Sequence, residues 1–143
     1  MGKKRSVNKS GGSDVHGTSR ALNRIPKRKL ASGTLNILAT FNNTMLTLAD
    51  AKGNAVMAAS SGALGFKGAR KSTPFAAAKV GEIIGEKAQQ MGMKDADVVI
   101  RGVGAGRESA LRAFSGKGIS IIKITDRTPV PFNGPRPPKP RRV

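Results

Sequence analysis

The chain has 143 residues, a formal net charge of +18, no Cys, Trp or Tyr, and one His. With no thiol, and with His16 alone in a polar stretch, a disulfide framework, a thiolate zinc site and Ser/His/Asp hydrolysis are excluded. The charge is uneven: residues 1–30 hold net +8 and residues 127–143 net +5, which leaves only +5 for the 96 residues between them. Two basic arms on a nearly ordinary domain repel themselves and need a polyanion, and the phosphates of a nucleic acid are the expected partner.

No apolar run approaches the roughly 20 residues of a membrane span, and no signal-peptide stretch follows Lys9, so a cytoplasmic setting is expected. The opening Met1-Gly2-Lys3-Lys4-Arg5-Ser6 fits the loose N-myristoylation template, a pattern that a Lys-rich start also meets by chance. Three parts are expected: a basic N-terminal arm over 1–32, an α/β domain over 33–126 and a basic proline-rich tail over 127–143.

In chain order, Gly11 and Gly12 among Ser, Asn and Lys mark the arm as polar and short of apolar residues. Its cations are Lys3, Lys4, Arg5, Lys9, Arg20, Arg24, Lys27, Arg28 and Lys29. Thr34 to Phe41 alternates at period two, which puts Leu35, Ile37, Ala39 and Phe41 on one face of a first strand. Asn42-Asn43 suits a hairpin turn because Asn tolerates positive φ, and Thr44 to Ala49 returns with Leu46 and Leu48 inward. After the turn at Asp50 to Asn54, a third strand over Ala55 to Ser60 completes an antiparallel meander.

The loop from Ser61 to Thr73 interleaves three glycines with Lys67, Arg70 and Lys71. Such a backbone can approach a surface closely while its cations reach phosphates, so Lys67, Gly68, Arg70, Lys71 and Ser72 are candidate RNA contacts. Phe66 within it could stack on a base or anchor the loop against the core, and packing inward with Phe41, Phe75 and Phe114 is the expected role. Lacking Trp and Tyr platforms, the chain is expected to recognise folded RNA through its backbone and shape.

Thr73-Pro74 signals a helix start, and Ala77, Val80, Ile84, Ala88 and Met91 form one apolar stripe before Gly92. Gly81 and Gly85 each cost about 1 kcal/mol relative to Ala inside that helix, and close approach to the sheet is the expected compensation. Asp97 to Ile100 reads as a strand buried on both faces. Gly102-Val103-Gly104-Ala105-Gly106-Arg107 then joins it to a second helix carrying Ala110, Leu111 and Phe114 inward. Backbone N–H groups and the helix dipole favour an anion there, so Gly104, Gly106 and Arg107 are candidate phosphate contacts. A tight strand-to-helix turn is the equal alternative for the glycines. Ile119 to Thr125 is the last strand, and strand-helix-strand-helix-strand after a meander implies a mixed sheet with parallel later strands.

The tail places Asn133, Arg136, Lys139, Arg141 and Arg142 in a stiff, extended segment. Asn133-Gly134 also allows isoaspartate formation, because Gly leaves the following backbone N–H free to attack the Asn side chain. The acids Asp50, Glu82, Glu86, Asp95, Asp97, Glu108 and Asp126 show no convergent spacing for a two-metal nuclease; they read as turn residues and neighbours of Lys79 and Lys87. No catalysis, cofactor or metal is expected.

Four segments in order resemble one family: Thr40-Phe41-Asn42-Asn43-Thr44, the run from Gly65 to Ala77, Gly104-Ala105-Gly106-Arg107-Glu108-Ser109-Ala110, and Thr128-Pro129-Val130-Pro131. The chain from about Gly33 to Val143 is similar to small-subunit ribosomal protein eleven of the bacterial or organellar type. The resemblance implies a ribonuclease-H-like α/β fold without nuclease activity and a structural place on the platform of the small ribosomal subunit. There it would bridge rRNA helices near the mRNA exit and the Shine-Dalgarno helix. Implied neighbours are mRNA, small-subunit proteins seven, eighteen and twenty-one, and initiation factor three. Two departures stand out: Val103 and Ala105 occupy positions where the family's loop carries prolines, and Phe132 and Pro135 stand where its tail carries His and Cys. A nucleic-acid chaperone acting outside any particle is the rival reading, which the arms alone would permit but which leaves the glycine loops and the proline-rich tail unexplained.

Overall fold

A computed structural model describes residues 25–140 and 142. The cations Lys3, Lys4, Arg5, Lys9, Arg20, Arg24 and Arg141 lie outside the described residues. Five strands form one sheet: β1 (Ser32–Ala39), β2 (Thr44–Ala49), β3 (Ala55–Ser60), β4 (Asp95–Arg101) and β5 (Ser120–Asp126), in the order β3-β2-β1-β4-β5. Helix α1 (Pro74–Gln90) connects β3 to β4, and α2 (Arg107–Ser115) connects β4 to β5. β2 runs antiparallel to β1 and β3, while β4 is parallel to both β1 and β5. This is the mixed sheet with parallel later strands expected from the element order, and it agrees with the α/β fold that the family resemblance implies.

Alternation decides which face is covered. Leu35 and Ile37 of β1 pair in register with Leu48 and Leu46 of β2 and with Val98 and Ile100 of β4. Together with Ala77, Val80, Ile84 and Ala88 of α1 and Ala110 and Phe114 of α2, they form one buried cluster. Both helices therefore cover the same face. The opposite face, with Asn36, Leu38, Met45, Thr47 and Asp97, is half-buried or exposed.

That one-sided covering corrects the reading of β4 as buried on both faces. Asp97 is exposed and Val99 half-buried, because α1 and α2 both lie on the other face. Phe41 is not inward either: β1 ends at Ala39 and Phe41 is 76% exposed in the turn beyond it. The turn does not use positive φ, which only glycines adopt among the described residues. Thr40 locks it instead. Its backbone N–H and its hydroxyl both donate to the Asn43 carbonyl at 2.9 and 3.0 Å, and its Oγ1 accepts from Asn43 N–H at 3.0 Å.

Thr73 caps α1 as expected, accepting from Ala76 N–H at 3.3 Å with Pro74 at the first helical position. Gly81 and Gly85 face the other helix rather than the sheet. A Cβ on Gly81 would lie 2.6 Å from the Ala110 carbonyl oxygen, and one on Gly85 would lie 2.8 Å from Lys117 Cγ. Two backbones sharing one sheet face must approach closely, and missing side chains are what permit it. Glu86 joins this contact by accepting from Lys117 Nζ at 2.8 Å, which raises the Lys117 pKa; Glu82 pairs with Lys79 at 3.2 Å as its spacing implies.

Candidate nucleic-acid interface

Topology gathers the candidate loops. The parallel strands β1, β4 and β5 end, and both helices begin, at one end of the sheet, where the Asn42–Asn43 turn, the 61–73 loop, the 102–106 loop and the start of the tail all emerge. Direct bonds knit them. Ser61 N–H donates to the Thr44 carbonyl at 3.0 Å, Gly104 N–H to the Ala39 carbonyl at 2.9 Å, and Arg127 N–H to the Ile100 carbonyl at 2.9 Å. The carboxyl ends of parallel strands, with helix N-termini beside them, are where open α/β sheets take ligands. Residues 25–30 lie away from this end, with Leu30 N–H bonded to the Met91 carbonyl beyond the C-terminus of α1. Lys27, Arg28 and Lys29 are exposed there.

The two glycine-and-cation loops differ. In the first, Gly65 and Gly68 adopt φ of +96° and +61°, and no heavy atom lies within 4 Å of where a Cβ would be. These glycines permit backbone turns rather than internal packing. Residues 68–72 form a 3₁₀ turn, with Thr73 N–H and Thr73 Oγ1 both donating to the Arg70 carbonyl at 3.4 and 2.8 Å. Lys67, Gly68 and Arg70 are exposed, and Lys71 and Ser72 half-buried. None of the three cations joins an ion pair among the described residues.

In the second loop the glycines face inward. A Cβ on Gly102 would lie 2.1 Å from the Ala39 carbonyl oxygen, one on Gly104 2.3 Å from that of Thr40, and one on Gly106 2.4 Å from Thr44 Oγ1. Thr44 is fully buried and its hydroxyl oxygen has no hydrogen-bond partner among the described residues. The tight-turn alternative accounts for these glycines.

Arg107 is engaged within the chain. Its guanidinium donates to the Gly102 carbonyl, to Thr128 Oγ1 at 3.3 Å and to Asp126 Oδ2 at 2.5 Å. Asp126 Oδ1 in turn accepts from the Thr128 hydroxyl at 2.6 Å and the Thr128 N–H at 2.9 Å. The Thr128 hydroxyl first, and then Arg107, hold the Asp126 carboxyl well below its ordinary range, at about 2. This cluster ties the loop, the end of β5 and the root of the tail together. Glu108 in the first turn of α2 pairs with Arg112 one turn on. Sequence spacing gave no sign of the clamp, since Arg107 and Asp126 are 19 residues apart.

Asn42 is exposed, while the half-buried Asn43 accepts from Thr44 N–H through its Oδ1 at 2.9 Å. Asn133, Arg136, Lys139 and Arg142 are exposed along an irregular tail. The inward aromatic set is only partly realised: Phe114 is fully buried, but Phe75 is 64% exposed and Phe66 half-buried. The acids serve locally, as Asp50 shows by accepting from the N–H groups of Lys52 and Asn54, both at 2.9 Å.

Residues 33–142 match the family described as Ribosomal protein S11. This chain belongs to that family. It is 52% identical over 120 residues to the small ribosomal subunit protein uS11 of Parvibaculum lavamentivorans, covering 84% of this chain and 93% of that protein. It is also 49% identical over 129 residues to small ribosomal subunit protein uS11 of Leptothrix cholodnii, covering 90% of this chain and 96% of that one. As a member of this family, the chain is a structural component of the small ribosomal subunit and not an enzyme.

Proposed function

We propose that the chain binds and bridges small-subunit rRNA helices on the platform, near the mRNA exit and the Shine-Dalgarno helix, through the sheet end where its loops and tail converge. The observation that carries this reading is the 65–72 loop, whose glycines turn the backbone outward and whose Lys67, Arg70 and Lys71 have no ion-pair partner among the described residues. Asn42, Asn43 and Ser72 add polar contacts at that end, and Arg136, Lys139 and Arg142 extend them along the tail. Lys27, Arg28 and Lys29 sit away from it, so one chain offers cations to two different RNA segments. Gly104, Gly106 and Arg107 contribute by holding the tail root in place.

Small-subunit proteins seven, eighteen and twenty-one, initiation factor three and nearby mRNA are the partners this position implies, in a cytoplasmic ribosome. Each phosphate contact releases counterions, so affinity for a platform rRNA fragment should fall steeply with salt. Replacing Lys67, Arg70 and Lys71 together by Ala should flatten that log–log slope by roughly 0.9 for each phosphate no longer neutralised, with an unchanged melting temperature. A flat salt response of the unmodified chain overturns the reading, as does sedimentation of the chain away from small subunits. Isoaspartate at the exposed Asn133–Gly134 step belongs to the same proposal, and peptide mapping that finds only Asn133 in mature particles removes it.

A further inference from the structure

Beside the exposed cations lies a cavity that backbone binding does not use. It has a volume of about 460 Å³ and is lined by Leu64, Gly65, Phe66, Lys67 and Arg70. That size falls within the roughly 300–1,000 Å³ of small-ligand sites. Its walls are apolar at Leu64 and Phe66 and cationic at Lys67 and Arg70, and no acid lines it.

The walls are held from behind. Leu64 packs against the core, its N–H donating to the Ser60 carbonyl at 3.2 Å, and Phe66 N–H donates to the Ser61 carbonyl at 3.3 Å. The Phe66 ring meets the ring of Phe75 edge-to-face, with centroids 6.1 Å apart and planes at 83°, and Lys79 Nζ stands 5.6 Å from the Phe75 centroid. Gly65 carries no side chain that could narrow the opening.

Resting on the rRNA-binding reading, we propose that this cavity receives a single unstacked nucleobase of the rRNA. The base stacks on Phe66 and Leu64, and Lys67 and Arg70 hold the phosphates on either side of it. The charge decides between occupants. An apolar protein side chain would gain from Leu64 and Phe66 alone and would desolvate two cations without partners, whereas a nucleotide satisfies both kinds of wall. Recognition at this point is then of an unpaired, everted base, in addition to the folded backbone.

The test uses the full chain and a transcribed platform fragment of small-subunit rRNA. Ultraviolet cross-linking followed by mass spectrometry of the unmodified complex should place a nucleotide adduct within Leu64–Phe66. Phe66→Leu should weaken binding by about 5- to 150-fold, the range expected for removing one base stack, without changing the salt slope, and Phe66→Tyr should retain affinity. Binding of Phe66→Leu within twofold of the unmodified chain, or adducts that map only elsewhere, overturns the nucleobase site while leaving the salt-dependent rRNA reading intact. Occupation by a protein tail gives that same unchanged affinity. Loss of salt-dependent binding by the unmodified chain overturns both.

Discussion

The loops at 65–72 and 102–106 look alike in sequence, each a run of glycines beside cations between regular elements, yet the fold uses them in opposite ways. In the first, the glycines turn into open space and the cations remain outside every ion pair among the described residues. In the second, the glycines lie against the backbone of Ala39 and Thr40 and the side chain of Thr44, and Arg107 closes on Asp126, Thr128 and Gly102. A glycine-and-arginine motif therefore does not say whether it faces a ligand or its own chain. The neighbours decide, and these come from β1, β2 and β5 and the residues just beyond β1 and β5, distant in sequence.

The largest expected difference is in stability. Gly102→Ala should cost about 3 kcal/mol, because left-handed backbone at φ of +93° strains any other residue by about 1–2 kcal/mol and the new Cβ also overpacks against the Ala39 carbonyl. Gly65→Ala should carry only the backbone strain, since its Cβ meets nothing. Equal losses in denaturant unfolding would break the contrast.

A smaller loss, about 1 kcal/mol, is expected for Thr73→Ala, which removes the cap of α1 at the end of the outward loop. Thr73→Ser should recover most of it in the same measurement. The two arginines then separate the loops by readout. Arg107→Ala should lower the melting temperature, by less than Gly102→Ala, because its partner Asp126 is solvent-exposed. Arg70→Ala should leave melting unchanged and lower the salt slope of RNA binding. The reverse pattern would exchange the roles assigned to the two residues.

The smallest effect is pH-dependent. The carboxyl of Asp126 is held at about 2 against an ordinary 3.8, so its contribution is fully present above the ordinary value and is lost as pH falls through about 2. Amide signals of Thr128 and its neighbours should shift across that window, and Asp126→Asn should abolish the shift. An unchanged titration in Asp126→Asn would dissolve the clamp.

Much of the architecture was readable residue by residue. Period-two alternation located β1 and β2, Thr73-Pro74 located the start of α1, and the stripe from Ala77 to Met91 named the face that is buried. The misreadings share one cause, which is that a local pattern does not know what stands opposite it. Val98-Val99-Ile100 looked buried on both sides until both helices proved to share one face. Gly81 and Gly85 signalled a close approach, expected against the sheet, but its partner is α2. Phe41 continued the alternation of β1 although the strand had already ended. For the interface, composition pointed to the cations, but the cavity at Phe66 left no trace in spacing, since its shape depends on the 3₁₀ turn and the edge-to-face contact with Phe75.

By itself, the sequence determined the charge, its concentration at the two ends, and the order and type of the elements, which are written in composition or in short-range periodicity, and the ribosomal family, which is carried by four motifs in order. Only the tertiary structure decided which sheet face is covered, which glycines are packed and which open, and which arginine is engaged within the chain. Those outcomes depend on contacts between residues far apart along the chain, where a carbonyl or carboxylate a few ångströms away settles whether a side chain is engaged or available.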